Sequence, residues 1–302
     1  MIKIVKRQED ANCITHSGTM HADEVFATAF LENLLKDIKV FRTTNVDFDL
    51  VRSNTLVYDV GRREFDHHQL DALKRDNGIT YCSFGLLWKA FGKKYLKQEG
   101  FSNVDSLWEY IDKDFVEGID ADDNGVFPKI DAIYKVKTLS SVIKLFNPSF
   151  DSEEEESTQF LKAVRVAKEI FNEEVLFANG KVIANKKVND ILDNISSDSK
   201  YLILDEFIPY EEALLNRTDM NNLLFVAFPS NRGGYAIKTI PKSLEDKTAR
   251  CEFPEEWGGL SEKELESVSG IDGMIFCHTG RFITSCKNLD TVLKAVSYTH
   301  LT

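Results

Sequence analysis

The chain has 302 residues, of which 43% are hydrophobic, and its 49 acidic and 37 basic side chains give a formal net charge of -12. This length and composition fit two domains or one elaborate α/β domain, and they argue against intrinsic disorder. The acidic balance argues against broad binding of duplex nucleic acid, because like charges repel. It leaves room for a small nucleic-acid substrate that is held in a local basic groove.

The five cysteines are widely spaced and include no C-x-x-C pair, which predicts reduced thiols in a cytoplasmic protein. The N-terminal run at residues 1–6 is too short for the apolar region of a signal peptide. No stretch approaches the roughly 18 apolar residues of a membrane span. We therefore predict a cytoplasmic protein without a membrane partner, and the sequence implies no stable protein partner.

Short apolar runs alternate with helical patterns in the first half of the chain. The predicted strands are residues 11–15, 38–42 and 55–60. The predicted helices, whose apolar side chains recur at helical spacing, are residues 23–36, 83–97 and 104–118. Strands that are separated by helices pair in parallel, so we predict an α/β fold with a doubly wound, mostly parallel sheet in residues 1–150.

A long helical pattern occupies the middle of the chain. Its start is predicted at the charge run 153–156, where Ser152 and Glu155 fit a capping box and acids suit the positive end of the helix dipole. Gly180 is either a break or a tolerated helical glycine. We predict a connecting helical segment over residues 151–196.

The last third of the chain has the pattern of a smaller α+β domain, which we predict for residues 197–296. The predicted strands and hairpin are residues 201–204, 223–228, 234–240 and 274–286. Ser261 and Glu264 fit a second capping box, and a short closing helix is predicted at residues 289–296. Residues 297–302 continue no pattern and are predicted to be a tail.

The first candidate site is the loop T-H-S-G-T-M-H-A-D-E at residues 15–24, between a predicted strand and a predicted helix. Loops at the carboxyl ends of parallel strands are where such sheets bind ligands. Histidine together with carboxylates suits Mn²⁺, Fe²⁺ or Zn²⁺ better than Ca²⁺. The alternative is a polar loop in which Thr19 or Asp23 caps the helix. The histidines and acids of the loop are His16, His21, Asp23 and Glu24.

Asp59 is the second candidate, because it ends the apolar run T-L-V-Y-D-V and precedes Gly61. A carboxylate at the tip of a buried strand is costly unless it has a partner. The alternative is an ordinary turn residue at the end of a strand.

The third candidate is the run Phe65-Asp66-His67-His68. The chain has six histidines, and four of them fall in this run and in the first loop. One imidazole can bind a metal ion while its neighbour points toward substrate, and Asp66 can orient a ring through a hydrogen bond. The alternative is a solvated turn.

The fourth candidate is G-I-D-A-D-D-N-G at residues 118–125, which supplies Asp120, Asp122 and Asp123 at the end of a helical pattern. The spacing of an EF-hand and its closing glutamate are absent, which excludes a calcium loop of that kind. The alternative is a plain acidic turn before Asn124 and Gly125.

Taken in order, these clusters resemble the DHH phosphoesterase superfamily, and within it the melanocyte proliferating gene exonuclease family. The matching motifs are T-H-x-G-x-x-H-x-D-E at 15–24, D-V-G at 59–61, F-D-H-H at 65–68 and D-x-x-D-N-G at 120–125. The likeness continues to about residue 296 through E-F-P-E-E-W-G-G-L at 252–260 and V-S-G-I-D-G-M-I-F-C-H at 268–278.

The chain departs from the superfamily pattern at two places. The superfamily usually has aspartate where this chain has His21, so the first metal site is expected to be richer in nitrogen. A Gly-Gly pair often follows the final histidine in the family, whereas residues 282–286 here read F-I-T-S-C. We therefore do not expect the C-terminal segment to bind substrate in the way that is usual in the superfamily.

The resemblance implies two divalent metal ions, with Mn²⁺ expected and Mg²⁺ or another divalent ion as alternatives. Asp59 would bridge the two ions. Two ions of this kind can share a hydroxide and stabilise both the attacking and the leaving oxygen of an in-line displacement. The implied ligands are His16, His21 and Asp59 for the first ion, and Asp23, Asp59, His67 and Asp120 for the second.

The resemblance also implies roles for residues around the two ions. His68 is expected near the substrate, as an electrophile or as a proton donor to the leaving oxygen, with a purely orienting role as the alternative. Asp66 is assigned to catalysis together with His68. Glu24 and Asp123 are expected to contact the metal ligands without binding the ions themselves.

Two residues of the C-terminal domain are candidates for binding substrate phosphates. Arg250 can pair with a phosphate through two hydrogen bonds, and His278 lies in the predicted hairpin. Ordinary surface or hairpin roles are the alternatives for both.

These features predict a metal-dependent hydrolase that cleaves phosphodiester bonds, as a 3′-to-5′ exonuclease on RNA or short oligonucleotides. One alternative is a small-molecule phosphatase, pyrophosphatase or dinucleotide phosphodiesterase, and the acidic net charge favours short substrates. A second alternative is a metal-binding module without catalytic activity, against which the intact ligand set argues.

Overall fold

The computed structural model describes residues 1–301, with side chains through residue 299. The chain forms two compact units, and the division between them falls after Val182. This position lies inside the segment 151–196 that the sequence predicted as a connector. No helix within the described residues combines the length and the apolarity that crossing a membrane requires.

Unit 1 contains a four-stranded sheet in which every neighbouring pair is parallel, in the order β1-β3-β2-β4. Its strands are β1 (Ile2–Ile4), β2 (Cys13–His16), β3 (Ile38–Thr43) and β4 (Leu56–Val57). The predicted α/β class with a parallel sheet is confirmed. The sequence did not predict β1, because three residues are too few to show a strand pattern.

Helices and loops cover the sheet of unit 1. Successive strand residues point to opposite faces, so Cys13 packs in the large helical core while Ile14 packs in a small cluster under the loops. Phe30 on the first helix contacts the rings of Trp88 and Phe171 edge to face. The helices are α1 (Ala22–Leu35), α2 (Ser83–Gln98), α3 (Val104–Ile111), α4 (Glu117–Asp123) and α5 (Leu139–Ile143). The helix α6 (Glu156–Leu192) begins in unit 1 and contains the division after Val182.

A π-helical turn at Asp112–Val116 joins α3 to α4 without a break. The predicted helix at residues 104–118 therefore continues to Asp123. Turns of this kind are rare and occur often near functional sites.

α6 begins at Glu156, so the capping box predicted at Ser152 is not formed. The Ser152 hydroxyl instead accepts a hydrogen bond from the Glu154 backbone and closes a local turn. Gly180 lies within the helix, and no heavy atom lies within 4 Å of the position of a Cβ there. Of the two alternatives, the structure shows a tolerated helical glycine.

Unit 2 contains a five-stranded sheet in the order β5-β6-β7-β9-β8. The first pair is parallel and the remaining pairs are antiparallel, so the sheet is mixed, and its last two strands in sequence form the predicted hairpin. Its strands are β5 (Tyr201–Ile203), β6 (Phe225–Pro229), β7 (Tyr235–Thr239), β8 (Met274–Cys277) and β9 (Ile283–Cys286). Its further helices are α7 (Glu211–Leu215), α8 (Glu262–Ser269) and α9 (Leu289–Leu301).

α9 continues past residue 296, where the sequence predicted that the closing helix would end. Thr299 is buried and donates a hydrogen bond to Ala295 O at 2.7 Å, and the ring of Tyr298 stacks on Trp257. These contacts extend the helix into the segment predicted as a tail. Residue 302, at the end of that segment, lies outside the described residues.

Candidate metal centre

The carboxyl ends of two neighbouring parallel strands supply the first part of the site. β2 and β4 pair with Ile14 opposite Val57, so His16 and Asp59 follow at the same edge of the sheet. His16 Nε2 lies 3.1 Å from Asp59 Oδ2. Asp59 has a φ of 54°, in the left-handed region that aspartate adopts more readily than most residues. Open α/β sheets bind their ligands at this edge.

The N-terminus of α1 supplies the second part. His21 is the N-cap residue, and its backbone N–H donates to the Glu24 carboxylate at 2.9 Å in a capping box that the sequence analysis did not identify. Asp23 and Glu24 are buried in the first turn, where the helix dipole favours negative charge. Glu24 Oε1 also lies 3.2 Å from His16 Nε2. The cap therefore brings both acids of this turn beside the strand ends.

The D-H-H run follows a tight turn that starts at Asp59. The Asp59 backbone N–H donates to Phe65 O at 3.0 Å, which returns the chain to the end of the strand. His67 is largely buried, and its Nδ1 lies 3.7 Å from Asp59 Oδ1. The side chain of His68 is 58% exposed, and its Nδ1 lies 2.7 Å from Asp66 Oδ1. One imidazole thus faces the carboxylates, while Asp66 fixes the other toward solvent.

α4 supplies two carboxylates that have different partners. Asp123 Oδ2 lies 3.0 Å from His67 Nε2. Asp120, which the sequence predicted as a ligand, instead accepts hydrogen bonds from Arg75 Nε at 2.8 Å and from the Cys82 backbone at 3.0 Å. The structure therefore brings Asp123 beside the histidines and directs Asp120 to another set of partners.

Packing holds Asp120 in its position. A Cβ at Gly85 would come within 2.3 Å of Asp120 Oδ1, so only glycine leaves room for this carboxylate. Arg75 also donates to both oxygens of Asp112, at 2.5 and 2.9 Å. Burial raises the pKa of Asp120 to about 6, although Cys82 and Arg75 stabilise its charged form. Asp120 therefore belongs to a buried ion-pair cluster around Arg75.

The remaining residues form overlapping groups whose potential ligand atoms lie within 4.8 Å of one another. Within the described residues these groups are His16–His21–Glu24, His21–Asp23–Asp123, Asp23–Glu24–Asp59 and Asp59–Asp66–His67–His68. Asp122 is in none of these described groups.

Several buried atoms of this cluster have no partner in hydrogen-bonding geometry among the described residues, although some lie close to charged atoms. A buried polar atom without a partner costs about 1–3 kcal/mol, so native proteins contain few of them. Nitrogen and carboxylate oxygen atoms that converge in this way fit a divalent transition-metal ion. The atoms concerned are His16 Nε2, Asp23 Oδ1, Asp59 Oδ1 and His67 Nδ1.

The surroundings shift the pKa values of the cluster. Burial and the nearby Asp23 carboxylate raise the pKa of Asp59 to about 7. Burial raises the pKa of Glu24 to about 8. Burial opposes the charged form of His16, but the carboxylates of Asp59 and Glu24 outweigh it and raise the pKa of His16 to about 11. Protons and a metal ion would therefore compete for the same groups.

The two candidates from the C-terminal domain lie in unit 2. The Arg250 guanidinium donates to Met220 O and Leu223 O, both at 3.0 Å, and so ties down the loop before β6. His278 Nδ1 accepts from the Gly280 backbone at 2.9 Å, and its ring lies 4.5 Å from that of Phe282. Both side chains therefore have structural partners within their own unit.

Sequence comparison identifies relatives over nearly the whole chain. Residues 12–299 match the MYG1_exonuc family model, which is described as "Uncharacterised protein family (UPF0160)". The MYG1 protein of Chlamydia trachomatis is 30% identical over 93% of this chain and 96% of its own length. The MYG1 protein of Dictyostelium discoideum is 28% identical over 94% of each chain. The MYG1 exonuclease of Homo sapiens is 28% identical over 89% of this chain and 80% of its own.

Comparison with solved structures identifies RecJ from Thermus thermophilus in complex with Mn²⁺, with a TM-score of 0.27 and 11% sequence identity. The match covers 96% of this chain and 52% of that chain, so this chain spans about half the length of that protein. A RecJ structure in complex with Mg²⁺ from the same organism gives the same TM-score and identity.

Proposed function

We infer that this chain, which belongs to the MYG1 exonuclease family, is a metal-dependent hydrolase that trims RNA or short oligonucleotides from the 3′ end. The family resemblance predicted from the motifs is confirmed, and with it the assignment to hydrolytic nucleases or phosphoesterases. The RNA substrate, the direction of cleavage and the identity of the metal are parts of the proposal.

One observation supports this function above the others. Buried imidazole nitrogens and carboxylate oxygens converge at the carboxyl edge of the parallel sheet, and within residues 1–299 they have no hydrogen-bond partner. Such a cluster is expensive to maintain unless a cation stabilises it. It therefore supports a bound metal ion at this site. The alternative of a metal-binding module without catalytic activity requires the same ion, and the assay below separates the two.

We propose two metal sites that share Asp59. The second site takes Asp123 in place of Asp120, since Arg75 and Cys82 occupy the oxygens of Asp120. When bound, two Mn²⁺ ions would lower the pKa of a bound water and offset the charge of the reacting phosphate. The proposed ligands are His16, His21 and Asp59 for the first ion, and Asp23, Asp59, His67 and Asp123 for the second.

The catalytic role that we propose for His68 follows from the exposure of its side chain. Asp66 accepts a hydrogen bond from the Arg62 backbone at 2.6 Å and lies 2.7 Å from His68 Nδ1. This pairing leaves His68 Nε2 to face solvent, where it can donate a proton to the leaving oxygen. Glu24, through the α1 cap and its contact with His16, would position a ligand of the first ion. The substrate-binding roles of Arg250 and His278 stay predictions.

An assay with labelled RNA tests this function. The purified chain is supplied with Mn²⁺ and offered RNA labelled at the 5′ end or at the 3′ end, together with dinucleotides and pyrophosphate. Trimming from the 3′ end gives a ladder of shortened products with the 5′ label and immediate release of the 3′ label as a mononucleotide.

The same assay separates the alternatives. Turnover of dinucleotides or pyrophosphate without turnover of RNA would show that the chain is a small-molecule phosphoesterase and not an exonuclease. Bound metal by elemental analysis without turnover of any substrate would identify a binding module.

A further inference from the structure

The segment at residues 125–137, which joins α4 to α5, has an unusual surface. It contains no helix or strand, and every residue in it is exposed. Phe127 is 67% exposed and Tyr134 is 72% exposed. Exposed apolar side chains that adjoin one another mark interaction sites more often than single ones do. The other large apolar side chains exposed in this segment are Val126, Ile130, Ile133 and Val136.

The charge of this segment is opposite to that of the chain. Lysines at 129, 135 and 137 oppose a single acid, Asp131, whereas the whole chain carries a net charge of -12. The lysines alternate with the aromatic and aliphatic side chains along the sequence. Aromatic rings interleaved with cations are the usual surface on which single-stranded nucleic acids are bound, through stacking and phosphate contacts.

A cavity connects this segment with the candidate metal centre. Its volume is about 310 Å³, and its lining includes the proposed metal ligands His21 and Asp123 together with Phe127 and Lys144. Thr138, Ser140 and Ser141 add hydroxyl groups to the same wall. A volume near 300 Å³ is at the small end for organic ligands, which suits one nucleotide unit.

We propose that the 125–137 segment and this cavity bind the single-stranded end of the nucleic acid, with a nucleobase stacked on Phe127 and a phosphate beside Lys144. This inference rests on the proposed function and specifies its substrate as a single strand of at least two nucleotides. A protein partner fits less well, because the cores of protein interfaces are depleted in lysine. The rest of the chain is acidic and repels phosphates, so the phosphates of a strand should bind at this local basic surface in preference to the rest of the chain.

The test compares a nucleic acid with a minimal phosphodiester. In the full chain with Mn²⁺, we expect Phe127→Leu to raise the KM for a five-nucleotide RNA roughly tenfold, the loss typical of one stacked base. The change in kcat should be smaller than the change in KM. The minimal phosphodiester is an abasic strand of the same length, which keeps the phosphates but has no aromatic ring to stack, and the effect on it should be at least fivefold weaker than that on RNA.

Two further variants make the comparison specific. Lys144→Gln should weaken RNA binding and make it less dependent on salt, because one phosphate contact is lost. Phe150→Leu is the matched control, since Phe150 is fully exposed and lies outside the segment. It should leave both substrates unaffected.

Several results would overturn the inference. Equal losses on RNA and on the minimal phosphodiester would show a structural effect of Phe127, and an unchanged KM for RNA would show that no base stacks there. Conversion of a dimer into a monomer by Phe127→Leu would identify a subunit interface. If the unmodified chain hydrolyses neither substrate, the proposed function fails, and fluorescence anisotropy of the intact labelled RNA with the same variants then decides the inference.

Discussion

Asp120 and Asp123 lie three residues apart on α4, and their surroundings are opposite in kind. Asp120 accepts from Arg75 and from the Cys82 backbone, so its charge is balanced within the protein. Asp123 lies beside His67, in a cluster where neighbouring nitrogen and oxygen atoms have no hydrogen-bond partner in the part of the chain that the structure describes. We call these the Arg75 cluster, consisting of Arg75, Cys82, Asp112 and Asp120, and the metal cluster, consisting of the proposed metal ligands.

The difference shows what distinguishes a structural acid from a candidate ligand. Burial is common to both clusters, so it does not discriminate between them. The guanidinium of Arg75 keeps its charge, because arginine does not lose its proton in proteins. The Asp120 carboxylate therefore stays paired with Arg75. The imidazoles of the metal cluster can lose their protons, which frees their nitrogens and the facing carboxylates for a metal ion.

The largest effect should come from the shared ligand of the metal cluster. Asp59→Asn removes one negative charge but keeps a residue that tolerates the left-handed conformation. We expect hydrolysis of labelled RNA to fall by roughly 10³-fold or more, since the groups of a catalytic site act as a unit. Elemental analysis should show loss of bound metal. Activity that survives together with full metal content would remove Asp59 from its proposed place.

A stability effect should mark the Arg75 cluster. Arg75→Met leaves the buried carboxylates of Asp112 and Asp120 without their cation, and we expect a loss of about 3–5 kcal/mol in the free energy of unfolding. Lys93→Met is the matched control, because the exposed pair of Lys93 with Asp105 contributes about 1 kcal/mol or less. Urea denaturation measures both. Similar small losses in the two variants would mean that the Arg75 cluster is not structural.

The two acids of α4 can be compared directly. Asp123→Asn should weaken the binding of Mn²⁺ by about 10–100-fold or more, because effects of that size follow even from changes behind a ligand. Asp120→Asn should change the affinity for Mn²⁺ much less and should lower stability instead. Isothermal titration calorimetry measures the affinities. The reverse order of affinities would restore Asp120 as the ligand, as the sequence predicted.

The last prediction concerns pH. Burial opposes the charged form of His67, but the Asp123 carboxylate outweighs it and raises the pKa of His67 to about 9. Because this pKa is raised, the proton stays bound up to that pH and must be displaced by a metal ion at lower pH. The affinity for Mn²⁺ should therefore rise by up to about tenfold per pH unit between pH 6 and 9 for each proton released. Calorimetry in buffers of different ionisation enthalpy counts those protons, and a count of zero would contradict the competition.

The sequence predicted those features of the fold and site that depend on local signals. The apolar runs that end at His16 and Asp59 were short enough to be strands and were separated by helices, which favoured a parallel sheet. Parallel strands end at one edge of a sheet, which agrees with the shared metal ion that the family resemblance implied for His16 and Asp59. The structure places His16 and Asp59 3.1 Å apart.

The choice between Asp120 and Asp123 could not be made in this way. Residues three apart share a helix face, so the helical pattern treats the two acids as equivalent. Arg75, which distinguishes them, comes from an irregular segment far away in the sequence. Only the tertiary contact, together with the space left by Gly85, selects the acid that remains beside the histidines.

The caps were also difficult to predict. Histidine is not among the usual N-cap residues, so the box formed by His21 and Glu24 had no recognised pattern. Ser152 and Glu155 had the expected pattern, but the Ser152 hydroxyl closes a local turn and α6 begins later. Short polar side chains compete for backbone groups in several local conformations, and the sequence does not show which one is adopted.

The turn after β4 has a consequence for local opening. Asp59, Gly61 and Arg62 have positive φ values of 54°, 85° and 54°, and the non-glycine residues among them cost on the order of 1–2 kcal/mol each. Segments with such local costs exchange their amide hydrogens through small openings more readily than core strands do. A metal ion held by Asp59 and His67 would tie both ends of this turn together. Hydrogen exchange of the amides at residues 59–66 should therefore slow when metal is added. Slower exchange in this short turn would report that the metal site is occupied.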